Sequence, residues 1–295
     1  MGITVVFCYY NTVDNLLISF FLPMPLFSSL TPPAPRTACP PRASAMLLAA
    51  GRGTRMRPLT DTCPKPLLVV RGQPLIQWHL QALARAGITR AVVNTAWLGS
   101  QIADALSTTD HISYRNISIS YSHEGHDFGY ALETAGGIVR SLPLLDDVFW
   151  VLAADVFAPD FVFSQDALKC FRAGTPLAHL WLVPNPAHHP KGDFGLDGPT
   201  DTRDVAQALD LPPADPRPRY TYSTIGLYKK ALFRPPWCPI AEGNPQGVCA
   251  GLAPLLRAAM AQGKVTAQVW TGVWTDVGTP ERLAALNRRS PSSLP

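Results

Sequence analysis

A glycine-rich loop that follows directly on an apolar run constrains the fold of this 295-residue chain more than any other feature. Residues 45–50 are apolar and predict a buried β-strand, and Gly51 and Gly53 follow them. Glycine lets the backbone approach a ligand closely and point its N–H groups at it. Three arginines at positions 52–57 add positive charge to the same loop. The segment therefore predicts a phosphate site, and it suits a nucleoside triphosphate.

Two prolines bracket a lysine shortly after this loop, in the sequence Pro64-Lys65-Pro66. They restrict the backbone on both sides of Lys65. A lysine that is merely solvated does not require such a restriction, so we expect Lys65 to have a specific role. Two other phosphate loops are excluded, because Met56 replaces the third glycine of the dinucleotide fingerprint and no Gly-Lys-Ser/Thr sequence occurs. A glycine-rich turn with solvated arginines remains the alternative.

The remainder of the chain alternates short β-like runs with helical patterns, which indicates βαβ units and a mostly parallel central sheet. We therefore expect an α/β fold of Rossmann-like, three-layer α/β/α type, with a smaller and less regular part after residue 183. The predicted strands are residues 45–50, 90–94, 117–121, 148–153, 177–183, 192–196, 220–228 and 265–273. The predicted helices are residues 74–86, 100–106, 133–141, 166–172, 252–262 and 280–288.

Residues 1–44 do not follow this pattern. Their apolar run is interrupted by polar residues at positions 11–15, so it lacks the length of a membrane helix, and no basic residue precedes Arg36 as a secretory signal requires. We expect an N-terminal extension that is disordered or not part of the native enzyme, followed by a domain at 45–290. A weak membrane anchor is the alternative.

Composition narrows the classes of partner. The net charge is only +4, and the basic residues lack the aromatic interleaving of a single-strand binder, so no nucleic acid is expected as a partner. The six cysteines show no Cys-x-x-Cys spacing, which argues against a zinc site and a disulfide framework. We expect a reduced, cytoplasmic protein that has no membrane partner and binds small molecules.

Two aspartates follow apolar strands. Asp155 lies at the C-terminal end of the run at 148–153, after Ala154, and Asp276 precedes Gly278 at the end of another apolar run. Ligands of open α/β sheets bind at the carboxyl ends of the strands. Burying a carboxylate without a partner is also unfavourable in free energy, so packing alone explains these residues poorly. Both residues are therefore candidates for a functional role, with a turn or helix-capping aspartate as the alternative for each.

These motifs together resemble a known family. The sequence from Gly51 to Thr60, followed by Pro64-Lys65-Pro66-Leu67, is similar to the signature of the sugar-1-phosphate nucleotidyltransferases. Within that family the chain is most similar to uridylyltransferases that act on N-acetylmuramic acid 1-phosphate in bacterial cell-wall recycling. The motifs that carry this similarity are Asn94-Thr-Ala-Trp97-Leu-Gly, Leu132-Glu133-Thr-Ala-Gly136-Gly137, Asn185-Pro-Ala-His188-His189-Pro-Lys-Gly192-Asp193-Phe194, Leu252-Ala-Pro-Leu-Leu-Arg257 and Trp274-Thr-Asp276-Val-Gly278-Thr.

The resemblance implies a nucleotidyltransferase fold with a nucleotide-binding part at about 45–183 and a small sugar-binding part at about 184–275. It also implies roles for individual residues. The expected nucleotide-binding residues are Ala49, Ala50, Gly51, Gly53, Thr54, Glu133 and Gly136, and the expected catalytic residues are Arg55 and Lys65. Asn94 and Asp193 are expected to bind the sugar substrate, Lys191 is a candidate partner for its lactyl carboxylate, and Asp155 and Asp276 are expected to hold Mg²⁺.

The activity that the resemblance implies is transfer of UMP from UTP to N-acetylmuramic acid 1-phosphate, with release of pyrophosphate. One alternative keeps the chemistry and changes the substrates, as in a mannose-1-phosphate guanylyltransferase or a glucose-1-phosphate thymidylyltransferase. Another is a regulatory protein that binds nucleotide without catalysis. Two departures from the family pattern motivate it: Ala154 stands where relatives carry glycine, and Gly251 stands where many carry lysine.

Two further features are open to more than one interpretation. The pair His188-His189 is expected to belong to a sugar-contacting loop and not to a metal site, because adjacent histidines point in different directions and further ligands are missing. Arg257 has the character of a functional residue, but on a helix face a structural role is equally compatible with the sequence. A separate prediction concerns the segment at 122–130, which is expected to be a loop.

Overall fold

The central sheet has nine strands within the part of the chain that the computed structural model describes, namely residues 43–107, 114–198 and 204–288. In spatial order they are β5 (Ser118–His123), β4 (Arg90–Thr95), β1 (Ser44–Leu48), β6 (Val148–Ala153), β11 (Arg219–Lys229), β8 (Ala178–Val183), β12 (Val265–Val269), β10 (Ala206–Leu209) and β9 (Phe194–Asp197). Seven strands share one direction and only β10 and β11 oppose it. The predicted α/β fold with a mostly parallel sheet is confirmed.

The sheet divides into two halves that differ in strand direction. We call β5, β4, β1 and β6 the parallel half, because all their pairings are parallel. We call β11, β8, β12, β10 and β9 the mixed half, because only β8 and β12 pair in parallel. In addition β9 pairs with β11, which brings the loop before Phe194 next to Tyr220.

The side chains of the central strands alternate between two hydrophobic layers. Along β6, Trp150 and Leu152 pack into one layer, and Phe149 and Val151 pack into the other. Because successive side chains of a strand point to opposite faces, both faces of the sheet are covered. A strand of this kind has no polar face, which is why the sequence at 148–153 is apolar throughout.

Helices cover the two faces, and the described helices are α1 (Leu59–Thr62), α2 (Leu75–Arg85), α3 (Gly99–Ser107), α4 (Glu124–Phe128), α5 (Glu133–Ser141), α6 (Gln165–Ala173), α7 (Leu252–Met260) and α8 (Pro280–Arg288). None of the helices within the described residues is long and apolar enough to cross a membrane. The bounds predicted for α5 and α8 match those in the structure, and the other helices predicted from sequence differ by one or two residues at their ends.

Three differences from the predicted elements bear on the site. The expected loop at 122–130 contains the short helix α4, and the strand β10 was not predicted. Four two-residue strands form two antiparallel pairs beside the main sheet: β2 (Val69–Val70) pairs with β3 (Gln73–Pro74), and β7 (Val156–Phe157) pairs with β13 (Thr275–Asp276). The expectation for the N-terminal extension concerns residues 1–42 almost entirely, which lie outside the described residues.

Candidate active site

A cavity of about 770 Å³ lies at the carboxyl ends of β1, β4 and β6. Its lining comes from both halves: the ends of β1 and β6 on one side, and β9, β11 and α7 on the other. Among the predicted site residues, this cavity is lined by Ala49, Ala50, Gly51, Lys65, Asn94, Glu133, Asp155 and Asp193.

A second cavity of about 200 Å³ adjoins the glycine-rich loop. Gly53, Thr54 and Arg55 line it, together with Gly278 from the segment before α8. Gly51, Lys65 and Asp155 line both cavities, so the two spaces meet at these residues.

The glycine-rich loop presents only one of its three arginines to these cavities. Arg52 stacks on the Trp97 ring and pairs with Asp61, and Arg57 pairs with the same aspartate at 3.2 Å. Arg55 instead lines the small cavity. Arg52 and Arg57 are held away from the cavities, because Asp61 on the following helix pairs with both.

Gly53 has a structural reason to be glycine. Its φ angle is +66°, in the left-handed region, and a Cβ there would come within 3.0 Å of the Thr60 side chain. The Thr60 hydroxyl donates to the Gly53 carbonyl at 2.8 Å, which closes the loop.

Lys65 and Asp155 form an ion pair at the junction of the two cavities. The Lys65 ammonium donates to Oδ2 of Asp155 at 2.5 Å, and Lys65 is 7% exposed. Its backbone lies in a 3₁₀ segment, Lys65–Leu67, that starts directly after Pro64. The proline bracket thus holds a buried ammonium against a carboxylate at the end of β6.

The antiparallel pairing of β13 with β7 brings Asp276 close to Asp155. Asp276 is paired with Val156 in register, and the Val277 N–H donates to the Asp155 carbonyl at 3.1 Å. The carboxylate of Asp276 accepts from Arg282 Nη1 at 2.6 Å. Gly278 makes room for this contact, because a Cβ there would meet the guanidinium at 2.8 Å and both carboxylate oxygens at 2.9 Å.

The two carboxylates suit a hard divalent cation such as Mg²⁺, which prefers oxygen ligands and commonly takes one or two carboxylates with substrate phosphates. Among the described residues no group of three or more His, Cys, Asp or Glu side chains could hold a metal ion by itself. The donor chemistry therefore fits a metal that is completed by the phosphates of a substrate.

A buried network joins the end of β1 to the start of α5. The Ala49 N–H donates to Asn94 Oδ1 at 2.8 Å, and Asn94 Nδ2 donates to Glu124 Oε1 at 2.7 Å. The other Glu124 oxygen accepts from the Leu132 N–H at 2.8 Å. Burial raises the pKa of Glu124, against the lowering effect of these two donors and of Arg140. Asn94 thus fixes the strand end as well as lining the cavity.

The start of α5 differs from its prediction. Gly136 was expected to bind the nucleotide, but its amide N–H and that of Ala135 both donate to the Ala250 carbonyl. Gly136 is not among the cavity-lining residues, and a Cβ there would meet the Val248 carbonyl at 2.5 Å. Glycine at this position is therefore explained by close packing. Glu133 does line the cavity, with a left-handed φ of +58°.

The mixed half contributes a wall built around Asp193. Its two carboxylate oxygens accept from His189 Nε2 at 3.1 Å and from the Tyr222 N–H at 2.8 Å. Lys191, two residues earlier, is exposed and does not line the cavity. His188 lies 3.5 Å from Oδ2 of Asp276, so this loop reaches the carboxylate pair without forming a cluster of metal ligands.

The two departures from the family pattern have different surroundings. Ala154 is fully buried in a hydrophobic layer, whereas its neighbours Ala153 and Asp155 line the cavity. Its methyl group therefore does not crowd the cavity. Gly251 does line the cavity, where an added Cβ would lie 3.5 Å from Glu133 Oε2.

Sequence reasoning missed three residues that support the site. Arg282 holds Asp276, Glu124 anchors the network, and the buried His79 ring bonds the Val156 carbonyl at 2.8 Å. Burial lowers the pKa of His79 to about 4. For Glu124 and His79 the sequence held no specific signal, but Arg282 lies only six residues after Asp276 on a predicted helix and could have been considered.

A parallel sheet edge with a glycine-rich loop, a buried lysine and two carboxylates defines a phosphate-handling α/β protein. Over residues 44–292 the sequence matches the family described as Nucleotidyl transferase. The chain belongs to the nucleotidyl transferase family.

Individual relatives agree with this membership. The chain is 45% identical over 251 residues to N-acetylmuramate alpha-1-phosphate uridylyltransferase from Neisseria meningitidis, covering 81% of this chain and 94% of the relative. It is 29% identical to the protein of the same name from Caulobacter vibrioides, covering 83% and 96%. The crystal structure of an apo UDP-glucose pyrophosphorylase shares the fold, with a TM-score of 0.63 at 18% identity, covering 83% of this chain and 97% of that one.

Proposed function

We propose that the protein transfers UMP from UTP to N-acetylmuramic acid 1-phosphate, giving UDP-N-acetylmuramic acid and pyrophosphate, as a cytoplasmic step of peptidoglycan recycling. The observation that carries this proposal is the junction of two cavities at the Lys65–Asp155 pair, with the glycine-rich loop on one side. The similarity to relatives that carry the name of this activity supports the choice of substrates.

The two cavities suit different parts of the reactants. The small one, lined by Gly53, Thr54 and Arg55, offers backbone N–H groups and a cation, which suits the pyrophosphate portion of UTP. The large one, lined by Ala49, Ala50 and Glu133 on one side and by Asp193 on the other, offers room for the nucleoside and the sugar phosphate. The α-phosphate then lies near the junction, beside Lys65.

In the reaction a phosphate oxygen of the sugar 1-phosphate attacks the α-phosphorus, and the bond from that phosphorus to the pyrophosphate oxygen breaks. The attacking oxygen is already anionic, so no strong general base is required. Catalysis comes from positioning and from stabilising negative charge. Lys65 neutralises charge at the reacting phosphate, and Arg55 does so at the departing pyrophosphate.

Asp155 and Asp276 would hold Mg²⁺, which supplies further charge neutralisation at the phosphates when bound. Their present partners, Lys65 and Arg282, form ion pairs with the two carboxylates and fix them in place. The Asn94–Glu124 network holds the end of β1 and the start of α5 at a constant separation, and these two elements flank the expected base position.

The experiment is a pyrophosphate-release assay on the purified full chain with Mg²⁺, each of the four nucleoside triphosphates, and a panel of sugar 1-phosphates. The panel contains the N-acetylmuramic acid, N-acetylglucosamine, glucose and mannose derivatives. We expect release with UTP and N-acetylmuramic acid 1-phosphate far above every other pair. Release with a different pair would overturn the substrates, and nucleotide binding with no release for any pair would overturn the proposal.

A further inference from the structure

The proposed sugar substrate carries a carboxylate on its lactyl group, which distinguishes it from neutral hexosamine phosphates. Lys191 was the predicted partner for this group, but it is exposed and outside the cavity lining. Lys65 lines the cavity and is already paired with Asp155 at the junction where phosphates are expected. A different cation is therefore needed to recognise the carboxylate.

Arg257 is the other cation in the lining of the large cavity, as far as the described residues go. It lies in the middle of α7, which packs against β10 and β12 in the mixed half. The glycine-rich loop and Lys65 belong to the opposite, parallel half. The two cations thus come from different halves of the sheet, and Lys65 but not Arg257 also lines the second cavity.

The Arg257 guanidinium is partly engaged and partly available. Its Nε donates to Oδ1 of Asp210 at 3.2 Å, and its side chain is 54% exposed. Within the described part of the chain its two Nη groups make no hydrogen bond. The contact to Asp210 orients the guanidinium, and the remaining N–H donors suit a planar carboxylate, which guanidinium groups bind through paired hydrogen bonds.

Asp193, on the same side of the cavity, does not compete for this role. Both of its oxygens already accept hydrogen bonds within the protein, and its charge disfavours a second carboxylate beside it. A substrate carboxylate in this half of the cavity is therefore directed away from Asp193 and toward Arg257.

We propose that Arg257 binds a carboxylate carried by the sugar substrate and thereby selects acidic sugar 1-phosphates over neutral ones. This inference rests on the proposed function, since it names the residue that recognises the feature by which that substrate differs from other sugar phosphates. It assigns Arg257 to specificity and not to the chemical step.

The test compares N-acetylmuramic acid 1-phosphate with its carboxamide, which has the same shape and no charge. Dissociation constants of both are measured by calorimetry on the full chain with a non-hydrolysable UTP analogue, for the wild type and Arg257→Gln. We expect the wild type to prefer the acid by about 10- to 100-fold, as for a hydrogen bond to a charged group, and Arg257→Gln to remove that preference. Arg257→Lys should keep part of it.

Arg234→Ala is the matched control, because Arg234 is also a half-exposed arginine in an ion pair, with Glu242, and lies outside the cavity lining. It should keep the wild-type preference. An equal loss of affinity for acid and amide in Arg257→Gln, or an unchanged preference, would overturn the role of Arg257. Failure of the proposed function is separate, since it is read from the products that the wild type forms.

Discussion

The parallel and mixed halves of the sheet meet at one cavity but contribute to it differently. The parallel half supplies two buried side chains held by hydrogen bonds: Lys65 against Asp155, and Asn94 between Ala49 and Glu124. The mixed half supplies two more exposed charged side chains, Asp193 and Arg257, at 36% and 54%.

This difference indicates a division of labour between the halves. Charge stabilisation of a reacting phosphate requires preorganised groups that do not move during the reaction, and buried contacts provide them. Selection among related sugars requires contacts to groups remote from the reacting phosphorus, which loops and helix faces can provide. The parallel half is thus suited to the chemical step and the mixed half to the choice of substrate.

The largest effect is expected from Asp155→Asn, in the parallel half. The change removes a charge that pairs with Lys65 and suits a metal ion, so kcat should fall by about 10³-fold or more. Steady-state rates at several Mg²⁺ concentrations measure this. A rate near that of the wild type at saturating Mg²⁺ would show that Asp155 does not take part in the chemistry.

A pair of glycine substitutions compares the packing around the Asn94–Glu124 network with the packing at the cavity wall near α7. An added Cβ at Gly137 would lie 2.5 Å from Glu124 Oε1 and 2.9 Å from Asn94 Nδ2, whereas at Gly251 the nearest atom is 3.5 Å away. Gly137→Ala should lower the free energy of unfolding by about 1–3 kcal/mol, even though alanine favours helix. Gly251→Ala should lower it by less, about 0.5–1 kcal/mol, because Gly251 has room for a Cβ but caps the N-terminus of α7, where alanine is disfavoured.

Urea denaturation of both variants at one pH gives these two free energies. Equal stabilities of the two variants would mean that the space around the Asn94–Glu124 network is not restricted. The activities of the variants are not needed for this comparison.

A further effect concerns acid stability, to which both halves contribute a buried histidine. Burial lowers the pKa of His79 and of His179 to about 4, from the ordinary value of 6.5. In the unfolded chain the pKa returns to the ordinary value, so each neutral histidine contributes stability above pH 6.5 that is lost as the pH falls toward 4. The loss is at most about 3 kcal/mol for each residue.

Denaturation curves between pH 7 and pH 4 for the wild type, His79→Gln and His179→Gln measure this effect. Each variant should lose less stability on acidification than the wild type does. Parallel curves for all three proteins would show that neither histidine is responsible for acid sensitivity.

The sequence predicted the parallel half better than the mixed half. The run at 148–153 has no polar face, because both sides of β6 are covered, and its bounds were predicted correctly. By contrast β10 has only four residues, Ala206–Leu209, too few for an alternating pattern to stand out from its surroundings. The family signature also identified residues of the glycine-rich loop that line the two cavities in the structure, such as Gly51 and Gly53.

What the sequence could not provide was the direction of side chains. Arg52 belongs to the same glycine-rich loop as Arg55, yet it packs on Trp97 and pairs with Asp61, and only the fold of the loop decides between the two. In the same way, glycine is required at position 136 because the backbone of Val248 packs closely against it, and Val248 comes more than a hundred residues later in the chain. Long-range contacts of this kind leave no local pattern.

The most direct test of the division of labour is a comparison of Lys65→Met and Arg257→Gln, with UTP saturating and N-acetylmuramic acid 1-phosphate varied. We expect Lys65→Met to lower kcat by about 10²-fold or more with little change in KM, because Lys65 acts at the reacting phosphate. Arg257→Gln should raise KM by about 10-fold or more with kcat nearly retained. If both variants changed the same parameter to a similar extent, the assignment of chemistry to one half and selection to the other would be contradicted.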